Sequence, residues 1–508
     1  MRTRVCVLCF MSSLVVQACE GAASATVGGT GSSSSGSSGG SPTLGVSTAP
    51  GSGGSSSAGP TAAGSDLRGA TPPPPGGAAG TGPSSSGAGG ASAGTGGTAG
   101  AAVGSGGAGG TSAPVSNDEI FDPASFPRFD FDFPPASVMA LKAVTGPEDP
   151  RQDAYVAATF TYDKGGKNEV VDNVGVRLKG EGSFQTFDQK PAFKVKFDEL
   201  VTEQRFRGLA RLTLNNNNDD PSFVSERLAY DVYRAAGVPA PRCNSASVYV
   251  NGAFYGVYTN LESEDKHFLS RWFPSDKGNL YEKNGMRDLS LAGAADFDLE
   301  TNETANDRSD LNQALMTIDA ATKPASFLSD IGSKLDTAEF LKLTAVEGAV
   351  NQWDTYSFSI WYPHNFRWYN DPITAKFVFF PWGHDLSMKP APFTGRAYIK
   401  LFELVHQSDN PSAPITAGVL FQRCLASPTC KTAYKDAVNQ VIKVYDDLGM
   451  EAAAVRYYNQ IKDQVYADTR KASEKGPTTN AAFESAYQSV LTTIKGRVAA
   501  MRADVAAN

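Results

Sequence analysis

Aromatic and charged side chains are almost absent from the N-terminal part of the 508-residue chain. Residues 20–115 contain no aromatic residue and only three charged ones, and 87 of the 96 positions are Gly, Ser, Ala, Thr or Pro. Such a segment cannot bury enough apolar surface to offset the conformational entropy of the chain. We therefore expect residues 20–115 to form a disordered linker. The glycines follow no strict three-residue period, which excludes a collagen helix.

Histidine and common catalytic motifs are scarce as well. The chain has four His, and no two have the spacing with which one helix face holds a metal ion. It contains neither a Gly-x-Ser-x-Gly elbow nor a Walker phosphate loop, so zinc hydrolases and serine hydrolases have little support. Residues 116–508 carry 42 basic and 51 acidic side chains with no basic run. Nucleic acid is therefore not an expected partner.

The first nineteen residues indicate export. Arg2 and Arg4 precede an apolar stretch at 5–16, which has signal-peptide length and is too short to cross a bilayer. The tetrapeptide 16–19, Val-Gln-Ala-Cys, resembles the lipobox of bacterial lipoproteins. We therefore predict a signal peptide at 1–19, lipidation at Cys19 and membrane anchoring at the cell envelope or surface. The alternative is cleavage after Ala18, which yields a soluble exported protein.

Only three cysteines follow the linker. Cys424 and Cys430 are six residues apart with Pro428 between them, and export permits disulfides, so we predict a local disulfide. Cys243 is expected to be a lone buried thiol. The spacing of the three cysteines does not suit a metal site.

Hydrophobic patterning divides residues 116–508 into two parts. Residues 116–290 are rich in strand patterns, such as 192–197, where three apolar residues alternate with polar ones, and the Asn251-Gly252 turn, which predicts a hairpin. Residues 291–508 are mostly helical, with long helices expected at 431–448, 451–471 and 481–506. Residues 356–361 are predicted to be an aromatic strand. The fold class is therefore α+β, with a β-rich N-terminal lobe and a mostly helical C-terminal lobe.

Two carboxylates and an amide suggest a site in the second part. Asp354 precedes Asn365 by eleven residues, and Asp385 follows a buried-looking strand. Such oxygen ligands suit Mg²⁺ and a phosphoryl-transfer base. The alternative is that Asp354 and Asp385 are ordinary cap or turn residues.

A lysine in residues 116–290 suggests a phosphate contact that would complement Asp354, Asn365 and Asp385. Lys194 lies in the middle of the alternating strand, and Glu226 lies on the following helix, which is expected to begin at Asp220-Pro221. A strand lysine that meets a helix glutamate holds the α- and β-phosphates in protein kinases. The alternative is that Lys190, Lys194 and Lys196 form a solvated strand face.

Several of these segments together resemble the CotH family of spore-coat kinases, an atypical protein-kinase-like group. The resemblance covers about 150–390, and no single segment carries it alone. The matching segments are 175–183, 190–197, 214–219, 225–229, 236–239, the hairpin at 249–258 with Glu262, Asp354, His364-Asn365 and 380–385.

The resemblance implies a kinase-like fold and transfer of the ATP γ-phosphoryl group to protein Ser or Thr, with Mg²⁺ or Mn²⁺. It implies that Asp354 is the general base and that Asn365 and Asp385 bind the metal. The Gly180–Ser183 turn would cover the nucleotide. The implied phosphate contact is Lys194, or in second place Lys190, with Glu226 or Glu262 as its ion-pair partner.

The sequence departs from the family at 382–384 and at 365–368, where Asn-Phe-Arg-Trp replaces the usual Asn-Tyr-Tyr run, and it differs from ordinary protein kinases in one spacing. Gly383 occupies a position where the family often has an acid, and the Asp354–Asn365 gap exceeds the four residues of ordinary protein kinases. A non-catalytic adhesion or binding module on the same fold therefore stays open. A carbohydrate-active enzyme is a further alternative, because aromatic strands can stack on sugars. The Ser-rich linker is itself a candidate acceptor.

Overall fold

The computed structural model describes residues 117–508 except Lys164, Glu474 and Lys475. The predicted signal peptide, the lipidation of Cys19 and the linker at 20–115 lie outside the described residues. Within the described part, no helix combines the length and the apolar character that crossing a membrane requires.

Seven strands form a closed barrel in the order β1-β2-β3-β4-β5-β7-β6. All neighbours are antiparallel except β1 and β6, which close the barrel in parallel. Alternation places one face of each strand inside, where an aromatic-rich core fills the barrel. The strands are β1 (Arg128–Asp132), β2 (Val156–Asp163), β3 (Glu169–Lys179), β4 (Ala192–Lys196), β5 (Arg211–Asn215), β6 (Cys243–Val250) and β7 (Ala253–Leu261).

A second sheet has four antiparallel strands in the order β11-β10-β8-β9. They are β8 (Leu280–Lys283), β9 (Phe297–Leu299), β10 (Phe366–Asp371) and β11 (Lys376–Pro381). The first strand precedes residue 290 and the other three follow it, so this sheet contains strands from both predicted parts. A two-stranded ribbon, β12 (Ala472–Ser473) and β13 (Gly476–Pro477), lies near the C-terminus.

Ten α-helices accompany the sheets in the described residues. Those from α4 onward, together with α2, share one extensive apolar core with the second sheet. The helices are α1 (Pro135–Lys142), α2 (Ser225–Ala235), α3 (Lys266–Trp272), α4 (Ser309–Ala320), α5 (Phe327–Ile331), α6 (Thr337–Ala349), α7 (Val419–Ala426), α8 (Pro428–Asp447), α9 (Met450–Ala467) and α10 (Asn480–Ala507).

Predictions from local signals are confirmed. The Asn251-Gly252 turn joins β6 to β7, with φ of +47° and +76° at its two residues, as a type I′ hairpin requires. The Cys424–Cys430 disulfide links α7 to α8, and Cys243 is a free, buried thiol. The three long C-terminal helices lie close to their predicted bounds.

Two predicted elements are wrong. Residues 356–361 form turns instead of a strand, because Ser and Thr side chains accept their backbone N–H groups: Ser359 Oγ accepts from Trp361 and Tyr362, each at 3.1 Å. The helix predicted to begin at Asp220 begins five residues later, at Ser225. The N-cap residue is Val224, which has no capping side chain, and Asp220 instead accepts a 2.8 Å hydrogen bond from the Ser225 N–H through its Oδ2.

Candidate functional site

Asp354 and Asn365 lie in direct contact although eleven residues separate them. The Asn365 amide donates one hydrogen bond to the backbone oxygen of Asp354 at 2.8 Å and another to its Oδ2 at 2.7 Å. Asn365 has φ of +57°, a left-handed conformation that Asn tolerates better than most residues. The Asp354 carboxylate is therefore fixed in orientation by the residue that follows the 355–364 loop.

His364 holds the other oxygen of Asp354. Its Nε2 lies 2.6 Å from Asp354 Oδ1, and its Nδ1 lies 2.6 Å from the backbone oxygen of Tyr362. Both ring nitrogens thus face oxygen acceptors, and only the imidazolium can donate to both. Burial opposes the charge, but the Asp354 carboxylate outweighs it and raises the pKa of His364. In the sequence, His364 belongs to the His364-Asn365 segment that resembles the family, and no role was predicted for it.

Asp385 follows β11 in a turn that packs on Asn365. Trp382 N–H donates to the Asn365 backbone oxygen at 3.0 Å. Gly383 has φ of +64°, and a Cβ atom there would lie 3.0 Å from Asn365 Oδ1. Glycine is therefore required where the family often has an acid, because a side chain would press on Asn365.

The segments that carry Asp354 and Asp385 are joined by two consecutive buried side chains. The Asn351 amide donates to the backbone oxygens of Lys389 at 2.6 Å and Ala397 at 3.0 Å. The next residue, Gln352, donates to the Gly383 oxygen at 2.9 Å. These bonds fix the Asp385 turn relative to Asp354, so the structure brings the three predicted residues Asp354, Asn365 and Asp385 together.

Two lysines, Lys389 and Lys179, place positive charge near Asp385, and Lys179 lies at the end of β3. Its ammonium donates to Asn215 Oδ1 at 2.6 Å. The Asn215 amide donates in turn to both oxygens of Glu226, at 2.9 and 3.0 Å. Burial lowers the pKa of Lys179, and the nearby carboxylates of Glu226 and Asp385 oppose that shift. Sequence reasoning missed Lys179, although it directly precedes the Gly180 turn.

Glu226 and Asp385 repel each other across this network. Burial and the Asp385 charge raise the pKa of Glu226 to about 8. Burial also raises the pKa of Asp385, with Asp354 and Asp220 adding to the shift and Lys389 and Lys179 opposing it. Burial is the largest cause of both shifts, and a cation bound beside these carboxylates would favour their charged forms.

Lys194 does not meet Glu226. It lines a cavity of about 330 Å³ between the outer face of β3–β5 and the second sheet. No side-chain hydrogen bond or ion pair of Lys194 occurs within the described residues, and burial lowers its pKa to about 8. Other charged residues around this cavity are Asp153, Arg177, Lys196, Arg211, Glu264, Glu300 and Arg367.

Lys190 and Glu262 are engaged elsewhere. The Lys190 ammonium forms a 2.6 Å ion pair with Asp468, and both side chains are 1% exposed. Glu262 pairs with Arg242 at 2.9 Å and with Arg271. Burial alone would raise the pKa of Glu262, but these two guanidinium groups hold it below its usual value. The structure therefore brings neither residue into the Asp385 network.

The Gly180–Ser183 turn lies between Lys179 and the asparagine-rich loop. Gly180 has φ of +107°, which other residues rarely adopt. The Asn216 amide donates to the backbone oxygens of Ser183 and Lys190, each at 2.9 Å. The turn is thus tied to the loop that follows β5. Among the described residues, no group of three or more His, Cys, Asp or Glu side chains has a metal-binding arrangement.

Comparison with known proteins identifies the family. The family model described as CotH kinase protein matches residues 176–501. The chain is 25% identical to the inner spore coat protein H of Bacillus subtilis (strain 168) over 205 residues, which are 39% of this chain and 54% of that protein. It is 37% identical to an inner spore coat protein H-like protein of the same organism over 65 residues, 13% of this chain and 21% of that protein. The matches thus span about half and about a fifth of these relatives. Because the family model covers well over half of the chain, this protein belongs to the CotH kinase family.

Proposed function

We propose that the protein transfers the γ-phosphoryl group of ATP to Ser or Thr side chains of proteins. The observation that carries the proposal is the convergence of Asp354, Asn365 and Asp385 with the network of Lys179, Asn215 and Glu226. Family membership supports a kinase in general, and the residues below supply the specific roles. The two-lobed kinase architecture is part of the proposal.

The order of the site segments supports it. A glycine turn joins β3 to β4, the next strand leads to a helix that bears Glu226, and the β6–β7 hairpin follows. Asp354 and Asn365 come next, then the β10–β11 hairpin, and finally Asp385. Protein kinases place their glycine loop, helix glutamate, catalytic aspartate, asparagine and metal aspartate in this order along the chain.

The residues present fit a magnesium ion that is shared with a nucleotide. Mg²⁺ is usually bound by one or two carboxylates together with phosphate oxygens and water. Asp385 and Asn365 would hold it, because the Asp385 carboxylate has no hydrogen-bond donor within the described residues, and burial, with the neighbouring Asp354 charge, raises its pKa. When bound, the ion would neutralise phosphate charge.

The protein's own groups then have distinct tasks. Asp354 accepts the proton of the acceptor hydroxyl, while His364 and Asn365 hold its two oxygens in place. Lys179 contacts the phosphates, and Glu226 positions it through Asn215. Lys194, in the neighbouring cavity, supplies a second cation to the nucleotide.

We also propose that the chain is exported, anchored through a lipid on Cys19, and that its linker at 20–115 is one acceptor. The support is the lipobox-like sequence and the abundance of Ser and Thr in the linker. Labelling cells with radioactive palmitate and comparing the chain with its Cys19→Ala variant tests the anchor. Mass spectrometry after incubation with ATP tests the acceptor, and an unmodified linker would contradict it.

A labelled-ATP assay tests the kinase proposal. The purified full chain is incubated with γ-labelled ATP and Mg²⁺ or Mn²⁺, alone and with a mixture of Ser- and Thr-containing proteins. We expect label transfer that Asp354→Asn and Asp385→Asn each reduce at least a hundredfold. Asp436→Asn, an exposed aspartate on α8, is the matched control. Transfer unchanged in both site variants would contradict the assignment, and absence of nucleotide binding would favour the adhesion module.

A further inference from the structure

Arg227 is a buried guanidinium group without a carboxylate partner. It is 1% exposed, and its side chain donates to Ser245 Oγ at 2.9 Å, Gln460 Oε1 at 2.9 Å and the Pro123 backbone oxygen at 3.1 Å. Within the described residues no acid lies at ion-pair distance from it. Burial without a counter-charge is unfavourable and lowers the pKa of Arg227. A buried charge of this kind is expected where its hydrogen bonds hold another segment of the chain in place.

The acceptor Pro123 belongs to the segment 117–125, which we call the N-terminal strap. The strap precedes β1 and lies outside the matched family region. Side chains from the barrel and from α9 donate to its backbone oxygens. These bonds run from Asn244 and Asn260 to Ile120, at 3.1 and 2.8 Å, and from Gln460 to Pro123, Ala124 and Ser125, at 3.3, 3.1 and 2.9 Å.

Arg227 thus joins α2 to both the strap and α9. Its Nη1 contacts Gln460, the same side chain that binds three strap carbonyls, and its guanidinium lies 3.7 Å from the centre of the Tyr457 ring.

The neighbouring residue on α2 is Glu226, which belongs to the candidate site. Consecutive helix residues point in directions about 100° apart, so the same turn of helix faces the strap through Arg227 and Asn215 through Glu226. A shift of this turn would therefore move Glu226 relative to Asn215 and Lys179. Asp354 and Asp385 lie on other segments and would keep their places.

We propose that Arg227 is a positioning residue that fixes α2 to the N-terminal strap and thereby holds Glu226 in the phosphate-binding network. The proposal rests on the proposed nucleotide site at Lys179. It predicts that loosening the strap weakens nucleotide binding and leaves the chemical step largely intact.

Two variants of the full chain test the proposal. Arg227→Met removes the donors, and Gln460→Met removes the strap contacts from the opposite side. We expect faster hydrogen exchange in both 117–125 and 225–235, and a roughly tenfold rise in the Kd of ATP with Mg²⁺ by calorimetry, with kcat within twofold. Arg234→Met is the matched control, because Arg234 lies on α2 and contacts Asp231 and Pro241 but not the strap.

Each outcome decides one statement. If hydrogen exchange in 225–235 were unchanged in both variants, measured with or without nucleotide, the link between the strap and α2 would be refuted. Faster exchange with an unchanged Kd, or an equal rise in Kd for Arg234→Met, would refute the positioning role. A wild-type chain that binds no nucleotide would contradict the proposed function, while the exchange comparison would still decide the link. Arg227→Lys keeps the positive charge and one donor nitrogen. Partial recovery of the Kd in this variant, relative to Arg227→Met, would support the proposal.

Discussion

Lys179 and Glu226 do not touch: the Asn215 side chain lies between them, accepting from the ammonium at 2.6 Å and donating to the carboxylate at 2.9 and 3.0 Å. An amide suits this place because one end accepts and the other donates. A direct lysine–glutamate ion pair would need only two residues. Here the same coupling uses three, and each lies on a different element, namely β3, β5 and α2.

Removing the Lys179 ammonium should weaken nucleotide binding. Lys179→Met keeps the length of the side chain but removes a cation whose charge acts on both Asp385 and Glu226, so we expect the Kd of ATP with Mg²⁺ to rise at least tenfold, or about 1.4 kcal/mol. Calorimetric titration measures it. Lys443→Met is the control, because Lys443 is an exposed lysine on α8 that forms an ion pair with Asp447 and does not line the cavity of Lys194. An equal effect of both substitutions would mean that general surface charge, and not Lys179, binds the phosphates.

Gly383 should tolerate no side chain. At φ of +64°, Gly383→Ala carries the left-handed strain of about 1–2 kcal/mol, and its Cβ lies 3.0 Å from Asn365 Oδ1. We therefore expect label transfer to fall by more than the loss of stability explains, because Asn365 must move. Urea denaturation and the transfer assay together measure this.

The control for Gly383 is Gly395→Ala. Gly395 has φ of +70°, but a Cβ atom there meets nothing within 4 Å. The Gly395→Ala variant should lose about as much free energy of unfolding as Gly383→Ala and keep the wild-type rate of label transfer. If the two variants lost activity equally, the contact with Asn365 would have no catalytic consequence.

Burial of the Lys194 ammonium should make the stability depend on pH. Because burial lowers its pKa to about 8 from the ordinary 10.5, the unfolded chain binds this proton more tightly than the folded chain. The charged group therefore destabilises the fold fully below pH 8, and the penalty disappears as the pH rises from 8 to 10.5.

Lys194→Met should consequently stabilise the protein at pH 7 by up to about 3 kcal/mol, a gain that shrinks towards pH 10. Urea denaturation of both chains at several pH values measures the difference. A difference that does not change with pH would refute the assignment of the shift to Lys194. A lysine that costs stability in a cavity is consistent with a binding role, which nucleotide titration of the same variant checks.

Sequence reasoning succeeded where the decisive interactions are local. The Asn251-Gly252 hairpin and the Cys424–Cys430 disulfide each depend on residues within a short stretch. It also grouped Asp354, Asn365 and Asp385, which the structure brings together, while their catalytic and metal-binding roles stay a prediction. The strand predicted at 356–361 failed because hydroxyl groups within that stretch satisfy the backbone, which aromatic content does not indicate.

The choice of lysine required three-dimensional information. Lys179, Lys190 and Lys194 all lie near the glycine turn in sequence, and nothing local distinguishes them. Cross-strand register pairs Lys194 with Arg177 and Thr213, on the barrel's outer face, away from Glu226. Lys190 pairs with Asp468, which lies 278 residues later in the chain. Such long-range pairs are set by packing of the barrel against the helices and have no local signature.

The buried pair of Lys190 and Asp468 should contribute to folding and not to nucleotide affinity. Burial lowers the pKa of Lys190, and the Asp468 charge opposes the shift. Lys190→Met leaves Asp468 buried without its counter-charge, so we expect a loss of about 3–5 kcal/mol in the free energy of unfolding. The folded fraction should bind ATP as the wild type does.

The double variant Lys190→Met with Asp468→Asn separates the cost of the orphaned charge from the cost of lost packing. The single amide oxygen of an asparagine at 468 can still accept from the Arg470 backbone N–H, which now contacts Oδ1 of the aspartate at 2.9 Å, but the Val257 N–H, now 3.3 Å from Oδ2, would face the amide nitrogen. The substitution removes the uncompensated charge, so the double variant should be more stable than Lys190→Met alone. Urea denaturation of the four chains completes the cycle. Equal stability of the single and double variants would show that packing dominates, and a selective loss of ATP affinity would return Lys190 to the nucleotide site.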